Sequence, residues 1–308
     1  MKWLLAILLL ALRATAQDTT LLIGNQQTTL PEVFVRNHFD YRKLLEQVQN
    51  DTTFYKAFKN LRILNYTSLN HIQMVNKKGL VQASLQSKTK QLRKNGCRTM
   101  QILEEQVTGD MYNKQGAFNY LTAQLYASLF FTNGQICGES NIVSGLKPTV
   151  SDKKGIDKHK EQLKMLFFNP GKKISGIPFI GDKLDVYDTH AQKLYNYKLD
   201  YVQYKGTPCY LFSILPKSDL GVFKQNGVVV DEMNTWFDSQ TLTVLARTYR
   251  LSYKAGVYDF DVSMEVEMDK VGNLVVPVLL RYKGNWDVLF KKREIGLFTA
   301  TLFGFSNE

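Results

Sequence analysis

The stretch Val257-Tyr258-Asp259-Phe260-Asp261-Val262-Ser263-Met264-Glu265-Val266-Glu267-Met268 alternates without a break. Every even position from Tyr258 to Met268 is apolar, and the odd positions from Asp259 to Glu267 are Asp, Asp, Ser, Glu and Glu. A period of two belongs to a β-strand, whose successive side chains point to opposite faces. The segment predicts one long antiparallel strand with a greasy face and an acidic face. The greasy face must lie against a packed core, a second sheet or an apolar ligand, and that choice bears on function.

The same pattern extends on both sides. Tyr195, Tyr197, Leu199 and Tyr201 share one face of a strand. Cys209–Leu215, Val228–Phe237, Leu242–Tyr253, Leu274–Lys283, Trp286–Lys292 and Leu297–Phe305 read as further strands. The turns between them are Asp238-Ser239-Gln240-Thr241, Ala255-Gly256, Val271-Gly272-Asn273 and Gly284-Asn285. Connections this short pair neighbouring strands, so the C-terminal part predicts an antiparallel meander.

Upstream the pattern is mixed. Gln17 to Pro31 reads as a loose polar lead-in. Phe39–Val48 carries Phe39, Leu44, Leu45 and Val48 at helical spacing, and Asp51 or Thr52 can cap a second helix with Phe54, Phe58 and Leu61 on one side. Met74–Ser87 reads as a hairpin about Asn76-Lys77-Lys78-Gly79. Met100–Tyr112, Ala117–Leu121 and Tyr126–Phe131 read as strands, with a tight turn at Asn133-Gly134. Ile156–Phe168 is an amphipathic helix stopped by Asn169-Pro170-Gly171, and its flanks within 144–181 look like mobile loops around a helical insertion.

The N-terminus has the form of a secretory signal. Lys2 is the basic start, Trp3–Leu12 the short apolar run, and Ala14-Thr15-Ala16 the cleavage motif, giving a chain from Gln17. Residues 17–308 then form one domain, with helices over 30–65. Cys97, Cys137 and Cys209 allow one internal disulfide and leave the pairing open. The net charge of +11 is concentrated, with thirteen Lys/Arg against three Asp/Glu from Arg36 to Arg98. In an exported protein such a surface suits an anionic membrane or an acidic partner better than nucleic acid.

Four segments carry a family resemblance. Val107-Thr108-Gly109-Asp110-Met111-Tyr112-Asn113-Lys114-Gln115-Gly116-Ala117-Phe118-Asn119-Tyr120 and Leu129-Phe130-Phe131-Thr132-Asn133-Gly134-Gln135 come first. Tyr210-Leu211-Phe212-Ser213-Ile214-Leu215-Pro216-Lys217 and Thr235-Trp236-Phe237-Asp238 follow. In order and spacing they resemble the strand motifs of the periplasmic outer-membrane lipoprotein carrier and sorting superfamily. The resemblance implies a mainly β fold in which one strongly curved antiparallel sheet forms a half-open barrel, closed by helices over an apolar concavity. It further implies a periplasmic carrier of acyl chains or acylated proteins, in traffic to the outer membrane.

No catalytic constellation competes with this reading. His38, His71, His159 and His190 show no metal-ligand spacing, and no nucleophile elbow, phosphate loop or dinucleotide fingerprint is present, so no cofactor, metal or enzymatic activity is expected. The acids Asp259, Asp261, Glu265 and Glu267 could share a cation or work as a pair, but Arg247, Arg250, Arg281 and Lys283 on flanking strands are placed to neutralise them. The aromatics Phe118, Tyr120, Phe130, Trp236, Tyr249, Tyr253, Tyr258 and Phe260 are the candidate cavity wall, and Leu163, Leu166 and Phe167 the candidate lid. The competing expectation is a surface interaction or assembly module whose interior is filled. A hydrolase built on the acidic strand is a third.

Overall fold

The computed structural model describes residues 19–23, 26–30, 48, 50–143, 166–168, 170–173, 183–188, 190–221, 226–254, 258–288 and 292–308. The signal segment 1–16, most of the first predicted helix and the body of the Ile156–Phe168 helix lie outside them.

The alternating stretch is β11 of an eleven-stranded antiparallel sheet. The strands are β3 (Asn65–Val75), β4 (Val81–Lys94), β5 (Cys97–Gly109), β6 (Ile136–Cys137), β7 (Tyr195–Tyr204), β8 (Thr207–Pro216), β9 (Val230–Asp238), β10 (Val244–Tyr253), β11 (Tyr258–Val271), β12 (Leu274–Val288) and β13 (Glu294–Ser306). Their spatial order is β6-β5-β4-β3-β13-β12-β11-β10-β9-β8-β7. The expected C-terminal meander is the run from β7 to β13, and pairing of β13 with β3 joins it to the N-terminal strands. The two edges do not meet, so the barrel stays half open. β1 (Thr19–Ile23) and β2 (Gln26–Leu30) form a separate hairpin where the sequence suggested a loose lead-in.

The sheet is strongly twisted. Lys205, in the turn of the edge hairpin, reaches Glu267 on β11 at 2.6 Å although β7 lies four strands away. The right-handed twist of successive strands brings such corners together.

The even residues of β11 behave as their alternation requires. Phe260, Val262, Met264 and Val266 are buried. Of their outward neighbours Asp261, Glu265 and Glu267 carry charge, and Glu265 pairs with Arg281 on β12 at 2.9 Å. Among the described residues, α1 (Thr53–Asn60) and α2 (Leu121–Phe130) cover the buried face. The chain between β6 and β7 must cross from one edge of the sheet to the other. It brings the helical residues Leu166, Phe167 and Phe168 into the core, where Phe167 stacks on Tyr282 at 4.7 Å and Phe168 meets Phe58 at 4.8 Å.

Three readings are corrected. Tyr126–Phe131 is not a strand but the end of α2. That helix is nearly all apolar on the side facing the sheet, and its first amides are capped from far away: Leu121 N and Thr122 N donate to the Glu294 carboxylate at 2.9 and 2.8 Å. Ala117–Leu121 is no strand either; it retains a single bridge, Tyr112 to Phe118. Gly284-Asn285 is not a turn, because β12 runs straight through it. Trp286 Nε1 donates to Tyr282 Oη at 2.7 Å directly over Gly284. A Cβ there would lie 2.0 Å from Tyr282 Oη and 2.7 Å from Trp286 Nε1. Gly284→Ala should therefore cost about 1–3 kcal/mol, as overpacked cores do. An unchanged denaturant midpoint would mean that the Tyr282–Trp286 pair yields freely.

Candidate ligand-binding site

The predicted cavity wall does not assemble in one place. Tyr249 and Phe260 are buried on the covered face of the sheet. The Tyr249 hydroxyl lies 3.3 and 3.2 Å from the carbonyls of Leu166 and Phe167, and burial pushes its ionisation far above the ordinary phenol range. Phe130 is on α2, buried against Tyr126 at 4.9 Å. Phe118 and Tyr120 precede that helix. Tyr120 donates to Asp110 at 2.5 Å, and burial together with that carboxylate raises its hydroxyl to about 12. Trp236 points to the opposite face of the sheet and packs on Tyr204 at 5.4 Å. Phe118, Tyr120 and Phe130 thus lie outside the strands of the sheet, and Trp236 lies on β9 but faces away from the helices. Tyr258 opens β11, but its side chain lies outside the described residues, as does Leu163.

Among the described residues, the side chains on the covered face of the sheet are largely buried. One pocket there, lined by Phe58, Gln91, Arg98, Phe130 and Phe168, holds about 50 Å³. That admits a few waters, each needing roughly 10–15 Å³, and no acyl chain.

Arg247 is part of the reason the cover is fixed. It has the same parity as Tyr249 and Leu251, so it points inward, contrary to the expectation that it neutralises the acidic strand. Its Nε donates to Thr235 Oγ1 at 2.8 Å, its guanidinium lies over the Phe54 ring at 4.3 Å, and it pairs with Asp51 at 3.4 Å. Asp51 Oδ1 also accepts from Thr53 N at 2.7 Å, at the start of α1. At the other end of that helix, Asn60 Nδ2 donates to the Val275 carbonyl at 2.7 Å. Over α2, the Tyr126 hydroxyl donates to Asn70 Oδ1 at 3.0 Å, which answers the buried polar residues of β3 and β4.

Tyr253 borders a ligand-sized opening. A pocket of about 630 Å³ lies where the ends of β8, β9 and β10 meet the loop before β7. Its apolar wall is Pro216, Leu220, Val228 and Tyr253. Its polar wall carries Lys183, Lys217, Lys254 and one acid, Asp231. Lys183 Nζ donates to Tyr253 Oη at 2.9 Å and to the Asn226 carbonyl at 3.0 Å. Burial raises the Asp231 carboxyl, against the Ser252 hydroxyl donating to it at 3.0 Å and Arg250 at 3.6 Å. Behind the opening, the Tyr253 ring leads to Phe260 at 6.3 Å, and so to the core. Sequence reasoning missed the three lysines because they come from three distant segments.

Two other hollows, of about 480 and 470 Å³, lie on the polar back of the sheet. The first is bordered by Glu265 and Arg281, which pair with each other; the second by Lys88 and Glu104, which also pair. Among the described residues, no group of three or more His, Cys, Asp or Glu is arranged to hold a metal ion.

No known family profile matches the chain, and no curated protein matches it by sequence. Among solved structures it is similar to a domain assigned to outer membrane lipoprotein sorting from Vibrio parahaemolyticus, with 8% identity over 84% of this chain and 93% of that one and a TM-score of 0.30. It is similar to a DUF1329 family protein from Desulfovibrio piger, with 12% identity, 85% and 92% coverage and a TM-score of 0.28. It is also similar to lipovitellin, with 7% identity over 80% of this chain but 25% of that one, and a TM-score of 0.28. Identity and superposition are low in all three, and the functional reading rests on the pocket.

Proposed function

We propose that this chain is an exported, non-catalytic protein that binds an acyl chain or a similar apolar ligand at the rim pocket between β8, β9 and β10. The observation that carries this is an opening of about 630 Å³ whose lining includes the apolar side chains of Pro216, Leu220, Val228 and Tyr253. Small-molecule sites usually occupy about 300–1,000 Å³ and combine apolar walls with a few placed polar groups. Each methylene buried there would contribute ~0.8 kcal/mol. Export is supported by the signal-like N-terminus and by the Cys97–Cys137 disulfide, a bond that persists in oxidising compartments. On this reading the ligand is held at the mouth of the half-barrel; among the described residues the pocket beneath the helices holds about 50 Å³.

The test is native mass spectrometry of protein purified from its own host, followed by titration with a fluorescent acyl probe. Val228→Asn should weaken the probe about tenfold, the ~1.5 kcal/mol of one valine-sized apolar wall, without moving the melting temperature. Absence of co-purified lipid together with no probe binding would sink the proposal.

A second reading has its own observation. Among the described residues, β5 is paired on its outer side only at Cys97 and Arg98. Beyond them Ile102, Leu103 and Val107 are exposed. Such an edge is a template for strand addition by another chain, blunted here by a register break between Lys88 and Thr89. A lipid-free protein with an inert rim pocket would leave this interaction-module reading standing.

A further inference from the structure

We propose that the rim pocket selects amphiphiles with an anionic head, a carboxylate or phosphate carried on an apolar tail. The inference rests on the reading of that pocket as the ligand site and names the chemistry the ligand must have. Lys183 comes from the loop before β7, Lys217 from the end of β8 and Lys254 from the end of β10, and all three border one opening. Among the described residues none of the three forms an ion pair. The contacts that hold the Lys183 ammonium, Tyr253 Oη and the Asn226 carbonyl, are neutral acceptors, so they orient the charge without cancelling it. The single acid, Asp231, is answered by Ser252 and Arg250, the latter outside the pocket lining.

Three like charges converging on one concave site repel one another, and an anion relieves that repulsion while a neutral ligand does not. Walls of low polarity strengthen the attraction. The apolar wall lies beside the lysines, so head and tail of one molecule can be satisfied together. The concentrated positive charge from Arg36 to Arg98 supplies none of these residues, so the selectivity is local to the rim.

The experiment compares dodecanoate, dodecyl phosphate, dodecanol and inorganic phosphate by calorimetry, all below micellar concentration. It uses the wild-type chain, the triple variant Lys183→Gln/Lys217→Gln/Lys254→Gln, and Asp231→Asn. Dodecanoate and dodecyl phosphate should bind at least tenfold tighter than dodecanol, and the triple variant should erase that ratio while leaving dodecanol unchanged. Asp231→Asn should tighten the anions severalfold. Added salt should weaken the anions and spare the alcohol. If the triple variant does not fold, the three single variants must each reduce the ratio. Dodecanol binding as tightly as dodecanoate in the wild type would overturn head selectivity and leave the apolar-ligand reading intact. No binding of any dodecyl probe would overturn that underlying reading. Inorganic phosphate binding as tightly as dodecyl phosphate would make this a free-anion site and overturn the amphiphile.

Discussion

Asp51→Ala lowers the unfolding free energy by about 3–5 kcal/mol, because it strands the Arg247 guanidinium in the core. The two side chains are 6% and 9% exposed, so little water is available to solvate the charge that remains. Arg247 keeps one neutral acceptor, Thr235 Oγ1, and its place over the Phe54 ring. Those contacts orient it but do not neutralise it. The same substitution also removes the side-chain acceptor of Thr53 N, the first amide of α1, worth about 1 kcal/mol on its own. Replacing both partners, Asp51→Ala with Arg247→Met, should recover most of the loss, since apolar replacements of buried pairs are often neutral or stabilising. Chemical denaturation of the two single variants and the double variant measures this coupling directly. A loss below 1 kcal/mol for Asp51→Ala would mean that water reaches the pair. The pair joins the start of α1 to β10, while Asn60 joins its end to β12. The cover is thus latched at both ends, which is a physical reason to look for ligand at the rim and not beneath the helices.

The fold was legible wherever one rule of alternation governed a whole segment. From Tyr258 to Met268 the parity alone assigns a buried and a solvated face, and β11 obeys it from Phe260 to Val266. The same parity places Arg247 inward with Tyr249 and Leu251; treating it as a surface charge ignored the rule that located its neighbours. α2 was illegible for a different reason. Its sequence from Leu121 to Phe130 offers no clean polar stripe, so a buried helix and a buried strand read alike. The group that fixes its start, Glu294, is 173 residues from Leu121. The break expected at Gly284 failed because a glycine in a strand can mark close approach of side chains as well as a turn. The rim pocket needed the sheet order: Lys183, Lys217 and Lys254 meet only once β8 and β10 both flank β9.

Removing the Cys97–Cys137 bridge should cost about 4 kcal/mol at neutral pH. The sequence allowed any pairing of three cysteines; the fold pairs these two and leaves Cys209 buried and free. The bridge spans a sequence separation of 40, and closing a loop of that length restricts the unfolded chain by about 4 kcal/mol in the chain-entropy account. In the folded chain it anchors β6, a strand of two residues that pairs only with Cys97 and Arg98. Just beyond it, Glu139 receives Arg98 in a two-pronged contact and Arg62 at 3.3 Å. Burial alone would raise the Glu139 carboxyl, but these guanidinium groups bring it below its ordinary value. A carboxyl depressed in the folded state contributes stability above its unfolded value, and that contribution is lost as pH falls through the folded one. Cys97→Ser/Cys137→Ser should therefore show two effects in urea titrations. Stability drops by about 4 kcal/mol at pH 7. The acid-linked loss below roughly pH 4.5 becomes shallower, because a frayed corner no longer holds Glu139 beside its arginines. Cys209 is already a free thiol, so mild reductant acts on the bridge alone and should reproduce the first effect. A loss under 1 kcal/mol, with the acid slope unchanged, would mean that Arg62, Arg98 and Glu139 hold this corner without the covalent bond.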